Sequence, residues 1–317
     1  MTSFLTLVLL SVVGQATAPA PRATHQPQDA IGIQVALDRA GFSTGVIDGR
    51  IGANTTRAME AYRRERQSDP APDPQPLVEY RITATDVAGP FSPDIPTDLL
   101  EQSKLPTLAY RSVEEALAER FHCTPDLLRS LNPSIAFEEN AVVRVPNVEP
   151  FVIPAPEPTA THPVGTSGRP AAADSAKNDL LPVAVTVSKA ERSLTVADAD
   201  GKTIFFAPVT TGSGHDPLPV GEWKVNGVQR NPSFKYNPEL FWDADPSHTT
   251  ATVPPGPNGP VGVVWIDVSK EHYGLHGTPE PSQVGRTESH GCVRLTNWDA
   301  WRVASLVKPG TRVVFAE

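Results

Sequence analysis

The sequence predicts a multidomain protein: a mainly β domain with few helices at its C-terminal end, preceded by a small α-helical module and a small α+β module. Three observations support this architecture. The chain of 317 residues has room for two or three domains. Its 34 prolines are about twice the average usage, which is typical of modules joined by linkers. Strand-like alternation of apolar and polar residues becomes the main pattern only from residue 182 onward.

These changes of pattern divide the chain. The segment rich in Pro, Ala, Ser and Thr before residue 182 has too few aliphatic side chains to fold, so we expect a flexible tether there. The predicted segments are a signal peptide (1–18), a helical module (29–66), a linker (67–77), an α+β module (78–148), a Pro-rich linker (149–181) and the β domain (182–317). The net charge of −9 argues against nucleic acid or an anionic lipid surface as the main partner.

The N-terminal residues predict export. The apolar run from Phe4 to Val13 is too short to cross a bilayer, and Ala16-Thr17-Ala18 fits a cleavage site. No basic residue precedes the run and Pro19 follows the site, so an uncleaved anchor or a different start is the alternative. No later segment is apolar enough to span a membrane.

Residues 29–66 predict helix, Gly-rich loop and helix. Gly41 is placed to stop the first helix, and Asn54 is placed to cap the second. The loop "GVIDGRIGANT" and its surroundings resemble the peptidoglycan-binding module of bacterial wall enzymes. A small helical bundle without a ligand is the alternative.

Residues 78–148 predict two helices followed by a short strand. Ser112 and Thr124 are placed to cap the helices, and "AVVRVP" has the composition of a strand. The segment ending "LLRSLNP…AVVRVPNV" resembles a LysM glycan-binding module, although the usual Gly-Asp-Thr opening is missing. A spacer without a ligand is the alternative.

The C-terminal region predicts a series of short strands. The predicted strands are 183–188, 193–198, 202–210, 221–226, 261–268 and 311–316. One helix is expected to begin at Asn297. Residues 231–260 show no clear period, and a stretch of that length inside a compact domain is usually a lid or a binding loop.

A cluster of nitrogen and sulfur side chains closes this region. Its members are His272, His276, His290 and Cys292. Three roles compete for the cysteine: zinc ligand, buried packing residue and nucleophile. The two glycines in "HYGLHG" disfavour a helix, and histidines four apart on a strand lie about 13 Å apart, too far to share one ion.

A nucleophilic Cys292 needs a base and donors for an oxyanion. His276 lies far enough upstream to return beside it on a neighbouring strand or loop. Gly291 allows a sharp turn that aims successive amides at one oxygen, and Arg294 can bind a carboxylate through two hydrogen bonds.

The stretch "GLHGTPEPSQVGRTESHGCVRLTNWDA" closely resembles the signature of the L,D-transpeptidases of the YkuD type. The resemblance implies a β-sandwich or mixed sheet with few helices, and neither a cofactor nor a metal. It implies the following roles: Cys292 as nucleophile, His276 as general base, the Gly277 carbonyl as its orienter, His290 and Gly291 with Cys292 as oxyanion-hole amides, and Arg294, Ser289 and Thr278 as substrate-binding residues.

Members of this family attack tetrapeptide stems of peptidoglycan, release D-Ala and pass the acyl group to an amine. The resemblance therefore implies L,D-transpeptidation in the periplasm or cell wall. A carboxypeptidase, an endopeptidase or a protein-to-wall linking enzyme would use the same cysteine, and a non-catalytic wall-binding protein is the alternative of another class. For an enzyme we expect a depressed pKa and fast alkylation at Cys292, and slow alkylation at Cys123, which is expected to pack in a core.

Overall fold

The structure is a computed structural model that describes residues 27–153 and 182–317. The predicted signal peptide (1–18) and most of the predicted linker (149–181) lie outside these residues. No helix in the described ranges has the length and apolar character needed to cross a membrane.

The first module contains the two predicted helices, α1 (Pro27–Arg39) and α2 (Ala53–Arg66). Gly41 follows α1 with a φ of 84°, a left-handed conformation that glycine adopts without strain. The prediction that Asn54 caps α2 is wrong. The cap residue is Gly52, and the Asn54 amide instead donates to the carbonyl oxygen of Val284 at 2.9 Å.

The second module is a two-stranded sheet with helices inserted between its strands. Its elements are β1 (Leu77–Arg81), α3 (Ala84–Val87), α4 (Leu99–Gln102), α5 (Val113–Arg120), α6 (Pro125–Leu131) and β2 (Val142–Pro146). Strands β1 and β2 are antiparallel. The predicted caps Ser112 and Thr124 accept hydrogen bonds from the third backbone amide after each of them. The pattern did not predict β1, α3 or α4.

The C-terminal domain is mainly β, as predicted. Its elements are β3 (Ala184–Ser188), β4 (Ser193–Ala197), β5 (Thr203–Pro208), β6 (Gly221–Arg230), β7 (Phe234–Tyr236), β8 (Ala251–Val253), β9 (Val264–Val268), β10 (Gly274–His276), β11 (Val293–Arg294), α7 (Asn297–Leu306) and β12 (Arg312–Ala316). Two short 3-10 turns lie at Pro238–Leu240 and Pro281–Gln283.

Eight strands form one mixed sheet in the order β11-β10-β9-β6-β12-β3-β4-β5. The pairs β12–β3 and β10–β11 are parallel and the other neighbours are antiparallel. Helix α7 packs on β9 and β10 and buries Trp298 and Val303 in the main core. The mixed sheet, rather than a sandwich, is therefore the form that the domain takes.

Residues 231–260 contain more regular structure than expected from a sequence without a clear period. Strands β7 and β8 pair as an antiparallel hairpin. Tyr236 and Val253 of this hairpin pack against Leu108 of the second module. Because the packing partner lies more than a hundred residues away in the chain, the hairpin leaves little trace in the local pattern.

The first module docks on the edge of the main sheet. The amide of Ser43 donates to the carbonyl of Phe206 at 2.8 Å, and the amide of Phe206 donates to the carbonyl of Gly41 at 2.9 Å. These bonds cover the free edge of β5, which would otherwise leave backbone groups unpaired. Residues 41–47, which include the start of the Gly-rich loop, are all buried.

The described start of the predicted Pro-rich linker also packs on the C-terminal domain. Phe151 is buried in the main core and meets the Trp301 ring edge-on, with centroids 6.0 Å apart. The predicted start of the linker at residue 149 therefore lies in a segment that packs on the C-terminal domain.

Candidate active site

Two short neighbouring strands bring the predicted nucleophile and base to one edge of the sheet. β10 and β11 run parallel, with Leu275 opposite Val293 and His276 opposite Arg294. Cys292 directly precedes β11, so it lies at the same edge as His276. Both residues line one cleft of about 1220 Å³, whose other walls come from the β7–β8 hairpin and from residues 97–99 of the second module.

His276 is held in one orientation and one tautomer. Its Nδ1 lies 2.6 Å from the carbonyl oxygen of Gly277, and its ring stacks on Trp265 with centroids 5.5 Å apart. A carbonyl oxygen only accepts hydrogen bonds, so Nδ1 carries the proton and Nε2 keeps its lone pair. Burial, and next the positive charge of Arg294, lower the pKa of His276 to about 3. The ring is therefore a neutral base at physiological pH.

Cys292 is a neutral thiol in this site. Its sulfur lies 3.6 Å from the carbonyl oxygen of His272 and can donate to it. Burial raises the pKa of the Cys292 thiol to about 11, although a backbone hydrogen bond at Gly274 and the charge of Arg294 act in the opposite direction. The expected depressed pKa is therefore wrong for the site without substrate, because desolvation of the thiolate outweighs the nearby charge.

The raised pKa predicts how the two cysteines alkylate. Without substrate, we expect iodoacetamide to modify Cys292 slowly at pH 7 and faster as the pH rises toward about 11, because only the thiolate reacts. Cys123 should be slower at every pH, since burial raises its pKa to about 12. Timed alkylation followed by mass spectrometry of the two cysteine peptides measures both rates. Rapid modification of Cys292 at pH 7 that levels off below pH 8 would contradict this.

The turn before Cys292 requires glycine. Gly291 has a φ of 101°, and a Cβ added there would lie 2.7 Å from Cε1 of Tyr273. The Ser289 hydroxyl donates to the carbonyl oxygen of Cys292 at 2.6 Å and closes the turn. Ser289 was predicted to bind substrate. Because its hydroxyl is engaged within the turn, the structure favours a role in holding the backbone amides in place.

The His290 side chain points to the β7–β8 region. Its Nε2 lies 2.9 Å from Oδ1 of Asp243, and its ring meets Phe241 edge-on at 5.3 Å between centroids. If His290 contributes to an oxyanion hole, it therefore does so through its backbone amide. The side chain connects the Gly291 turn to the predicted lid.

Arg294 and Thr278 also line the cleft. Within residues 27–153 and 182–317, the Arg294 guanidinium forms no ion pair, and burial lowers its pKa. The next acidic residue along the chain, Asp299, accepts a hydrogen bond from the Ser43 hydroxyl at 2.9 Å and forms no pair with Arg294. Arg294 is thus available for a substrate carboxylate. The Thr278 hydroxyl accepts from the Glu280 amide at 3.3 Å.

Sequence reasoning missed Asn297 as a site residue. Asn297 was predicted only as the first residue of a helix. Helix α7 does begin at Asn297, and the residue that caps it is Thr296. Asn297 is fully buried and accepts a hydrogen bond from the Val263 amide at 3.2 Å. A Cβ added at Gly277 would lie 2.1 Å from its Oδ1. The glycine at position 277 was a possible signal, but nothing local indicated which side chain occupies the space.

The described part of the chain places no three His, Cys, Asp or Glu side chains where they could share a metal ion. His272, His276, His290 and Cys292 all line the cleft, and the His272 side chain also pairs with Glu271 at 3.6 Å.

Comparison with known proteins gives a consistent result. The family model for the L,D-transpeptidase catalytic domain, YkuD, matches residues 182–315. The chain is 33% identical over 135 residues to YkuD of Bacillus licheniformis, covering 43% of this chain and 66% of that protein. It is 30% identical over 139 residues to YqjB of Bacillus subtilis, covering 42% of this chain and 70% of that protein.

A third relative, YbiS of Escherichia coli, is 29% identical over 144 residues, which are 44% of this chain and 46% of that protein. All three relatives are named as L,D-transpeptidases. The chain spans just under two thirds of the length of the Bacillus licheniformis relative. The matched segment is the domain that contains the cleft.

Proposed function

Because this chain belongs to the YkuD family of L,D-transpeptidases, we propose that it cuts tetrapeptide stems of peptidoglycan through a Cys292 acyl-enzyme and passes the acyl group to an amine. One observation carries the proposal. His276 and Cys292 share a sheet edge and a cleft, and the Gly277 carbonyl holds the imidazole in the tautomer that can accept a proton at Nε2.

The first half of the reaction forms a thioester. As the Cys292 sulfur attacks the carbonyl carbon that precedes the terminal D-Ala, the thiol proton passes to Nε2 of His276. Backbone amides of the Gly291 turn donate to the developing oxyanion, and each such donor is worth about 3–4 kcal/mol. The imidazolium then protonates the leaving nitrogen, and D-Ala departs. In the second half, an amine attacks the thioester, gives its proton to His276 and restores the thiol.

The pKa values indicate that the thiol and the imidazole are both neutral before substrate binds. A thiol with a pKa of about 11 does not give its proton to an imidazole with a pKa of about 3. Proton transfer becomes favourable only when a carbonyl carbon accepts the sulfur and the oxyanion meets its donors. His276 therefore acts as a general base during attack, rather than as the cation of a preformed ion pair.

Purified muropeptides test the proposed reaction. We expect the full-length protein to release D-Ala from tetrapeptides and to form dimers in which the carbonyl group that preceded D-Ala is joined to the amine of a second stem, both detected by mass spectrometry. A shortened monomer alone would indicate a carboxypeptidase that uses the same cysteine. No change in any muropeptide would contradict both enzymatic functions.

We also propose that the protein is exported and acts in the periplasm or cell wall. The support is the signal-peptide pattern of the N-terminal residues and the location of the proposed substrate. Glycan binding by the modules at 29–66 and 78–148 stays a prediction.

A further inference from the structure

A buried carboxyl group of the second module reaches into the C-terminal domain. Glu119 lies in the last turn of α5 and is only 6% exposed. Nδ2 of Asn297 donates to its two carboxyl oxygens at 3.0 and 3.1 Å, and the Tyr110 hydroxyl donates to Oε2 at 3.0 Å. A polar group buried this deeply is costly unless it is hydrogen-bonded, so this contact is one of those that tie the second module to the C-terminal domain.

The other end of the Asn297 amide holds the backbone of the active site. Its Oδ1 accepts from the Val263 amide and lies against two glycines. A Cβ added at Gly262 or Gly277 would lie 2.0 or 2.1 Å from this oxygen, so the amide fills the space beside both residues. A shift of Asn297 therefore either opens a gap beside the Gly277 peptide or pushes it.

The Gly277 peptide is the group that orients His276. Its carbonyl oxygen accepts from Nδ1 at 2.6 Å, and the neighbouring carbonyl of His276 accepts from the Leu295 amide at 2.8 Å, two residues before Asn297. A small movement of the Gly277 carbonyl turns the imidazole away from the sulfur, and errors of about 1 Å in such positions can cost about a hundredfold in rate.

We propose that Glu119, a residue outside the matched catalytic domain, is a positioning residue of the active site: through Asn297 it fixes the Gly277 peptide and with it the orientation of His276. The inference rests on the proposed function for its kinetic consequence. It makes the second module part of the catalytic apparatus, in addition to any role in binding the wall.

The contact needs an acceptor, not a negative charge. Burial raises the pKa of Glu119 to about 8, so the carboxyl is mostly neutral at pH 7. In that form Oε1 accepts from Asn297, and a proton on Oε2 reverses the bond with Tyr110, so that Oε2 donates to the Tyr110 hydroxyl oxygen. Glutamine offers the same acceptor and a donor in place of the acid proton. A conservative substitution should therefore preserve the effect.

The test compares three substitutions in the full-length chain. We expect Glu119→Ala to lower kcat for muropeptide dimer formation by about 10- to 100-fold with little change in KM, and Glu119→Gln to stay within about twofold of the parent. Glu115→Ala is the matched control. Glu115 lies on the same helix and accepts from Asn258 at 3.1 Å, but it makes no hydrogen bond to Asn297. We expect the kcat of Glu115→Ala to stay close to that of the parent.

A second measurement separates positioning from general loss of stability. In protein labelled with ¹⁵N-histidine, the Nδ1–H signal of His276 should shift or exchange faster in Glu119→Ala, but not in Glu119→Gln or Glu115→Ala. The Nδ1–H signal can be measured without the substrate. A parent protein without transpeptidase activity would therefore contradict the proposed function and leave the positioning role open to this test.

An unchanged His276 signal in folded Glu119→Ala, or an unchanged kcat in an active enzyme, would overturn the inference. If Glu119→Ala does not fold, Glu119→Asp carries the test, because its carboxyl group is one methylene short of Asn297. A parent-like kcat and a parent-like His276 signal in Glu119→Asp would be equally decisive against it.

Discussion

Replacement of Cys292 by alanine is expected to lower D-Ala release and dimer formation by at least about 10⁴-fold, to the background of the assay. In the proposed mechanism the Cys292 sulfur forms the thioester, and no other described side chain at this sheet edge carries a thiol. His276 and the Gly291 turn would stay in place, so the variant should still fold and bind stems. Mass spectrometry of muropeptides after long incubation measures the residual rate. Mass spectrometry of the intact protein should show that the acyl adduct is missing.

Cys123→Ala is the matched control for this substitution. Cys123 is 2% exposed and belongs to a core formed by the first two modules, where it packs with Ile47 and Leu128. Both cysteines are free thiols, so no disulfide is lost in either variant. We expect Cys123→Ala to keep the parent rate with a modest loss of thermal stability. Stem cleavage that persists in Cys292→Ala and disappears in Cys123→Ala would refute the assignment of the nucleophile.

Features that neighbouring residues determine could be predicted from the sequence, and features that depend on distant residues could not. Strands β3, β4 and β12 alternate apolar and polar residues, and they lie close to their predicted positions. Strands β10 and β11 have only three and two residues, too few to show a period, and they exist because β9 and Thr210 supply their partners. The short strands that place His276 and Cys292 were therefore among the elements that the pattern could not predict.

The arrangement of the modules was also beyond local pattern. Helix α1 and helix α5 were predicted from spacing and caps, but their buried faces meet partners far away in the chain. The burial of residues 41–47 and the contact between Glu119 and Asn297 depend on such partners. A sequence pattern shows that a face is apolar or polar, and it does not show what covers that face. Modules that were predicted as independent units therefore form part of the support of the catalytic domain.

Replacement of His276 by alanine is the second large effect that we expect, a fall of about 10²- to 10⁴-fold in the rate of acylation. Without the imidazole, this edge has no side-chain base to take the thiol proton, and a pKa of about 11 leaves little thiolate at neutral pH. The variant should regain part of its rate as the pH approaches 11, because hydroxide then removes the proton. Acylation measured by mass spectrometry between pH 7 and pH 10 gives both the loss and the slope.

The chain offers two other histidines at the cleft for comparison. The His272 side chain pairs with Glu271 and is 40% exposed, so we expect His272→Ala to stay close to the parent rate. The His290 imidazole binds Asp243 through Nε2, so His290→Ala should loosen the predicted lid but retain the backbone amide at that position. The loss of acylation rate in His290→Ala should be smaller than the loss in His276→Ala, and the rate should not recover at high pH. If His290→Ala were instead the variant that regains activity with rising pH, the base would be His290, and the neutral tautomer held by the Gly277 carbonyl would have no catalytic role.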